Sequence, residues 1–255
     1  MLHTITVFLK MEINMLLNRR NFIKTTLATS IFSYTGNMIS TVAASENLAP
    51  LNMGLETDIL LIIDVQNDFC PGGSLAVKEG NNIIKNINSI QEKFKNVVLT
   101  QDWHPKNHSS FVTEYKDKEV FSSIKMPYGN QTIWPSHCVQ GTNGAEFHKD
   151  LNTLKANTII RKGFRREIDS YSAFWENDRV TPTGLEGNMK SMGIKRVFVC
   201  GLALDFCVAF SAIDSTIAGF ETFVIMNATK PVDLPGSIDS TFKAFNKHKI
   251  NRINV

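Results

Sequence analysis

The sequence predicts an α/β fold, a single domain with a mostly parallel sheet and helices on both of its faces. Three observations carry that expectation. Apolar, β-branched runs of strand length alternate with stretches whose apolar residues recur at helical spacing. Each run closes on a polar residue with chemical capability. The 255 residues, 43% of them apolar, suffice for one well-buried core.

The run DILLIID, Asp58 to Asp64, reads as the first strand and ends on a carboxylate. From Asn82 to Phe94, residues Ile83, Ile84, Ile87, Ile90 and Phe94 recur at helical spacing and predict a helix. NVVLT gives the next strand, followed directly by Asp102 and His104. The segment from Pro105 to Gly144 is long and rich in Ser, Pro, Gly and aromatics. Between two strands of a compact domain it reads as a functional loop with short helices of its own. TIIR is the following strand and runs into Lys162. In VFVCGLALDFCVAFSAI a β-branched run gives way to a helical pattern, which places Cys207 at a helix N-terminus. Backbone N–H groups and the helix dipole there favour a thiolate, with a pKa below the usual value of about 8.5. Ligands of open parallel sheets bind beyond the carboxyl ends of the strands. Asp64, Asp102, His104, Lys162 and Cys207 should therefore share one cleft although far apart in sequence.

The first 44 residues are different in kind. Asn18, Arg19, Arg20, Asn21, Phe22, Ile23 and Lys24 spell a twin-arginine export signal. A mildly apolar stretch follows, and Ala43 and Ala44 supply small residues for cleavage. Residues 1–14 fit no part of such a signal, and Met15 is the more natural start. The expected organisation is a leader over 1–44, a short linker over 45–57 and a catalytic domain over 58–255. Use of the twin-arginine machinery implies a periplasmic destination; an unused signal implies the cytoplasm.

Without residues 1–44, which hold four basic residues and one acidic one, 23 basic and 23 acidic residues remain. The net charge of +3 belongs to the leader. A balanced mature chain offers no clustered basic face for nucleic acid and no case for stable membrane insertion. Four cysteines, Cys70, Cys138, Cys200 and Cys207, do not make a disulfide framework in a chain this long. Cys207 reads as a free thiol, Cys200 as core, and Cys70 and Cys138 as structural residues near the cleft. The sequence leaves the oligomeric state open, a homo-oligomer included.

Asp64, Lys162 and Cys207, within DVQNDFCPGGSL, RKGF and GLALDFCV, resemble the triad of the nicotinamidase/pyrazinamidase family of isochorismatase-like cysteine hydrolases. TQDWHPKNHSSF and WPSHCVQGT resemble that family's metal loop, and the agreement extends from about Asp58 to the C-terminus through NATKPVDLPGSID. The resemblance implies the isochorismatase-like fold and hydrolysis of nicotinamide, and also of pyrazinamide, to the acid and ammonia. It further implies backbone oxyanion donors at Ala203 and Cys207, and a non-proline cis peptide between Leu202 and Ala203.

A carboxylate, an ammonium and a thiol in one cleft form an activated nucleophile. Lys162 would stabilise the thiolate, Asp64 would take its proton, and the Cys207 sulfur would form a thioester. Asp102 and His104, two positions apart, face one way if extended, and His137 arrives from the far end of the loop. With open positions left, such O and N donors suit one divalent ion, Zn²⁺ best, with Fe²⁺ and Mn²⁺ as alternatives. In the family the metal holds the ring nitrogen of the substrate. Ser110 is an outer candidate for the same ion; His108 reads as lying behind the ligands or at the surface, and His148 as solvated. Phe69, Trp134 and Tyr171 match positions lining the ring pocket. Leu204 and Phe206 depart from the family, where Thr and then Tyr or His are common. Two alternatives stay open: another cysteine amidohydrolase, such as one acting on N-carbamoyl amides, and a non-catalytic periplasmic nicotinamide-binding protein.

Overall fold

A computed structural model describes residues 52–255. The expected export signal and most of the expected linker lie outside the described residues. Eight strands follow in chain order: β1 (Asp58–Ile63), β2 (Asn96–Asp102), β3 (Ser123–Met126), β4 (Gly129–Thr132), β5 (Thr158–Lys162), β6 (Arg196–Leu202), β7 (Glu221–Lys230) and β8 (Asn251–Ile253). Six of them form one parallel sheet in the order β5-β2-β1-β6-β7-β8. The helices are α1 (Ile84–Gln91), α2 (Leu185–Ser191), α3 (Ala209–Ile217) and α4 (Ser237–Lys247).

β1 is central, and all six of its residues are buried. A strand covered on both faces needs an unbroken apolar run rather than an alternating one, which is what DILLII supplies. β6 packs beside it and is nearly as buried. The two strands approach closely at Gly201, whose φ is +106°. A Cβ there would lie 2.1 Å from the Ile63 carbonyl oxygen, so glycine is required by space and by conformation.

The helix expected over 82–94 is shorter. A 3₁₀ turn (Gly80–Ile83) leads into α1, and the chain leaves the helix after Gln91. Phe94 is nonetheless buried, edge-on to Phe198 with ring centroids 5.2 Å apart. Its burial comes from the turn that follows α1, which is why its helical spacing misled. The long loop also differs in part from expectation. It has short 3₁₀ turns at Val112–Glu114 and Asn143–Ala145, as expected, but also the antiparallel hairpin β3–β4. β3 alternates between exposed and half-buried over only four residues and β4 does not alternate at all, so there is no period-2 pattern long enough to read. No helix among the described residues is long and apolar enough to cross a membrane.

Candidate active site

In the strand order the chain turns to one side of β1 through β2 and β5, and to the other through β6, β7 and β8. The crevice between β1 and β6 is thus the switch point of the sheet, where open parallel sheets bind ligands. Asp64 follows β1 there with a left-handed φ of 48°, a conformation Asp tolerates better than bulkier residues. Cys207 lies beyond β6, Lys162 is the last residue of β5, and Asp102 is the last of β2.

The three triad residues meet. Lys162 is fully buried, with Nζ 2.8 Å from Asp64 Oδ2 and 2.5 Å from Asp102 Oδ1. It also donates to the Ser170 carbonyl at 2.9 Å and to Cys207 Sγ at 3.4 Å. Asp64 Oδ1 accepts the Thr100 hydroxyl at 2.6 Å. Burial pushes the Asp64 carboxyl up to about 6; Lys162 opposes the rise and Asp102 adds to it. Burial would strip Lys162 of its proton, but Asp102 and Asp64 together raise its pKa well above the usual value. It remains a cation.

Cys207 does not have the low pKa expected of it. It sits in a single π-helical turn (Leu204–Val208), and regular helix begins only at Ala209. Full burial of its sulfur raises the thiol pKa well above the ordinary value, with Lys162 opposing and Asp64 and Asp102 adding to the rise. Desolvation of a thiolate outweighs the effect of the helix terminus there. The site thus sets a buried thiol close to a carboxylate able to accept its proton. The Leu202–Ala203 peptide is cis, as the resemblance implied.

Asp102, His104 and His137 can each offer a ligand atom within 4.8 Å of the others. Their remaining atoms are already committed. His104 Nε2 faces Asp169 Oδ1 at 3.1 Å while its buried Nδ1 has no partner. His137 Nδ1 lies 2.8 Å from the Pro135 carbonyl, which leaves Nε2, 3.8 Å from Asp102 Oδ2. Burial lowers the His137 pKa to about 4, so its imidazole is neutral and can ligate. An orphaned buried nitrogen, a neutral imidazole and a free carboxylate oxygen fit a divalent cation. Gly163, φ +67°, makes room for His104: a Cβ there would lie 2.6 Å from Nε2.

Ser110 is buried and its hydroxyl is 2.7 Å from His108 Nδ1. His108 is fully buried, with its ring edge-on to His104 at 4.5 Å. The surface reading of His108 is therefore wrong; it lies behind His104. His148 is half-buried, its Nδ1 accepting the Asp150 N–H at 3.2 Å, and is not simply solvated. Phe69, Trp134 and Tyr171 line a cleft with Phe206, Ala203 and Cys207. Trp134 meets Phe206 edge-on at 4.9 Å, and its indole N–H donates to the Tyr171 hydroxyl at 3.0 Å. All four cysteines are free and buried.

Residues 58–247 match the isochorismatase domain. A nicotinamidase from Acinetobacter baylyi is 49% identical over 195 residues, 76% of this chain and 91% of that protein. The chain belongs to the nicotinamidase/pyrazinamidase branch of the isochorismatase family. A solved nicotinamidase/pyrazinamidase from Acinetobacter baumanii superposes with a TM-score of 0.77 at 50% identity, over 78% of this chain and 96% of the other. A Pyrococcus horikoshii pyrazinamidase solved with zinc gives 0.64 at 34% identity, over 78% and 99%.

Four further polar residues in this isochorismatase-family site were not singled out from the sequence. Gln66 braces Asp102 from both sides, accepting its N–H and donating to its carbonyl, each at 2.8 Å. Thr100 holds Asp64. Asp169 orients His104, and a pKa pushed down by that imidazole, after burial is overcome, keeps it ionised. Gln131, carried by β4, donates to Asp169 Oδ2 at 2.8 Å and to the Tyr171 hydroxyl at 2.9 Å, joining the metal-donor cluster to the aromatic wall. Thr100 had a readable signal, a polar residue ending an apolar strand run, and Gln66 stands two residues from Asp64. Asp169 and Gln131 lie in irregular or weakly patterned segments, which carry none.

Proposed function

We infer that the protein hydrolyses nicotinamide to nicotinate and ammonia, with pyrazinamide as a further substrate. One observation carries the reading. The buried cluster of Cys207, Lys162 and Asp64 opens onto an aromatic cleft whose wall also presents Asp102 and His137, with the His104 ligand atom within 4.8 Å of theirs.

In the proposed reaction Asp64 takes the Cys207 proton as the sulfur bonds to the carboxamide carbon. The Lys162 cation offsets the negative charge that develops on the thiolate. Backbone N–H groups of Ala203 and Cys207 serve the tetrahedral oxyanion; such a donor contributes roughly 3–4 kcal/mol in comparable acyl transfers. The carbon–nitrogen bond then breaks, and Asp64 returns its proton to the departing ammonia. Water adds to the thioester carbon while Asp64 takes a proton from it. The carbon–sulfur bond breaks, the acid leaves and the thiol is restored. Edge and face contacts from Phe69, Trp134, Tyr171 and Phe206 hold the flat ring.

Asp102, His104 and His137 would hold the metal, with zinc the best fit to these donors and Ser110 acting behind them through His108. When bound, the ion supplies a Lewis acid for the ring nitrogen and so orients the substrate. Metal donors beside the triad favour a ring-nitrogen substrate over N-carbamoyl amides, and the complete triad favours catalysis over simple binding. Ammonia release from nicotinamide, measured with and without a chelator and with Cys207→Ala, tests the reading; activity should be lost with the variant and reduced by the chelator. No release from the zinc-loaded protein, or release that survives Cys207→Ala, would exclude it. The Arg19–Arg20 signal supports twin-arginine export of residues 45–255 to the periplasm. Full-length protein found only in the cytosol would exclude that.

A further inference from the structure

Asp205 stands two residues before the nucleophile, is fully buried, and faces no cation in any ion pair among the described residues. Three donors satisfy it. The Val232 N–H reaches Oδ1 at 2.8 Å, and the Asp233 N–H and Ser237 hydroxyl reach Oδ2 at 2.9 and 2.5 Å. Burying a carboxylate is costly unless its oxygens are hydrogen-bonded, and here all three bonds go to one stretch of chain. That stretch runs from residue 231, after β7, to Ser237, the first residue of α4, and residues 231–236 have no regular structure of their own. It turns through left-handed Asp233 (φ 65°) and Gly236 (φ 80°). Val232 lines the cleft together with Phe206 and Cys207.

The turn that carries the nucleophile therefore also clamps one wall of the substrate cleft. We propose that Asp205 is a positioning residue for the substrate ring: it fixes the Val232 wall relative to Cys207, so that the ring seats with its carboxamide over the sulfur. The inference rests on the nicotinamide reading and deepens it. Asp205 touches neither the thiol nor the metal donors in the hydrogen bonds described, so its loss should weaken ring binding more than chemistry.

The test compares wild type, Asp205→Ala, Asp205→Asn, Val232→Ala and the Asp205→Ala/Val232→Ala pair in the full chain loaded with zinc. For Asp205→Ala the expected result is a KM for nicotinamide raised about tenfold, with kcat within about threefold of wild type. Alkylation of Cys207 by iodoacetamide, which is too small to need the Val232 wall, should stay within about twofold. The two substitutions should be strongly non-additive in KM, because both act on one wall. Unchanged KM, additive effects, or a fall in kcat matched by slower alkylation would overturn the proposal. If Asp205→Ala does not fold, Asp205→Asn and Ser237→Ala, which each perturb part of the clamp, must show the same KM shift at smaller size. Wild-type ammonia release tests the nicotinamide reading itself, so failure of that reading and failure of the clamp give different results.

Discussion

Lys162 donates to Asp102 Oδ1 at 2.5 Å, and the other oxygen of that carboxylate faces His137 Nε2 at 3.8 Å. One side chain at the end of β2 therefore serves both the proposed triad and the proposed metal donors. Lys162 in turn is shared by two carboxylates and the nucleophile, so the cation is the point where the whole site is held together.

Replacing Lys162 by Met should remove turnover and also destabilise the fold. Asp64 and Asp102 would be left buried without a cation, and breaking such an arrangement costs about 3–5 kcal/mol. Thermal unfolding of Lys162→Met should shift down by about 10 °C or more, alongside loss of ammonia release. An unchanged melting temperature would mean that the lysine is not the electrostatic centre of the site.

The Asp64 carboxyl, raised by burial to about 6, sets the acid limb of the pH profile. Only its ionised form can take the thiol proton. kcat/KM should therefore fall about tenfold per unit below about pH 6 and level off above it, since burial holds the Cys207 proton well past the ordinary range. The stability sign runs the other way. A folded pKa above the unfolded value gives a contribution fully present below the unfolded pKa of 3.8 and lost as pH rises through about 6. Activity that stays level down to pH 5 would show an ordinary carboxylate and contradict the burial argument.

Asp169 should matter through the metal. Its contact with His104 Nε2 fixes that ring so that Nδ1 is the free nitrogen. Loss of such a partner typically weakens metal binding by 10–100-fold. Zinc affinity of Asp169→Ala, measured by chelator competition, should fall by about that factor; equal affinity would show that His104 is oriented by its packing alone.

Much of this was legible in the sequence, for identifiable reasons. Apolar runs ending on Asp64, Asp102 and Lys162 marked strands whose carboxyl ends meet at one switch point, and the structure brings those residues together. Residues 1–44, the expected leader, carry the excess charge and lie outside the described residues. Cys207 does lie in the first turn of a helical segment, but its pKa shifts up rather than down, because desolvation depends on what the whole fold packs around the sulfur. Gln131 and Asp169 were missed because their roles come from a short hairpin and an irregular loop folded back on His104, contacts that no periodicity records. Asp205 was visible in LALDFCV, but its partners Val232, Asp233 and Ser237 lie about thirty residues away and meet it only in three dimensions.

The most direct test of the central claim, that Cys207 forms an acyl thioester with the nicotinamide carbonyl, is intact-protein mass spectrometry after acid quenching of the zinc-loaded chain during turnover. The expected result is a mass increase of one nicotinoyl group on Cys207, absent from Cys207→Ala and arising together with ammonia. Steady ammonia release from the Cys207→Ala protein, with no adduct on wild type, would contradict the account.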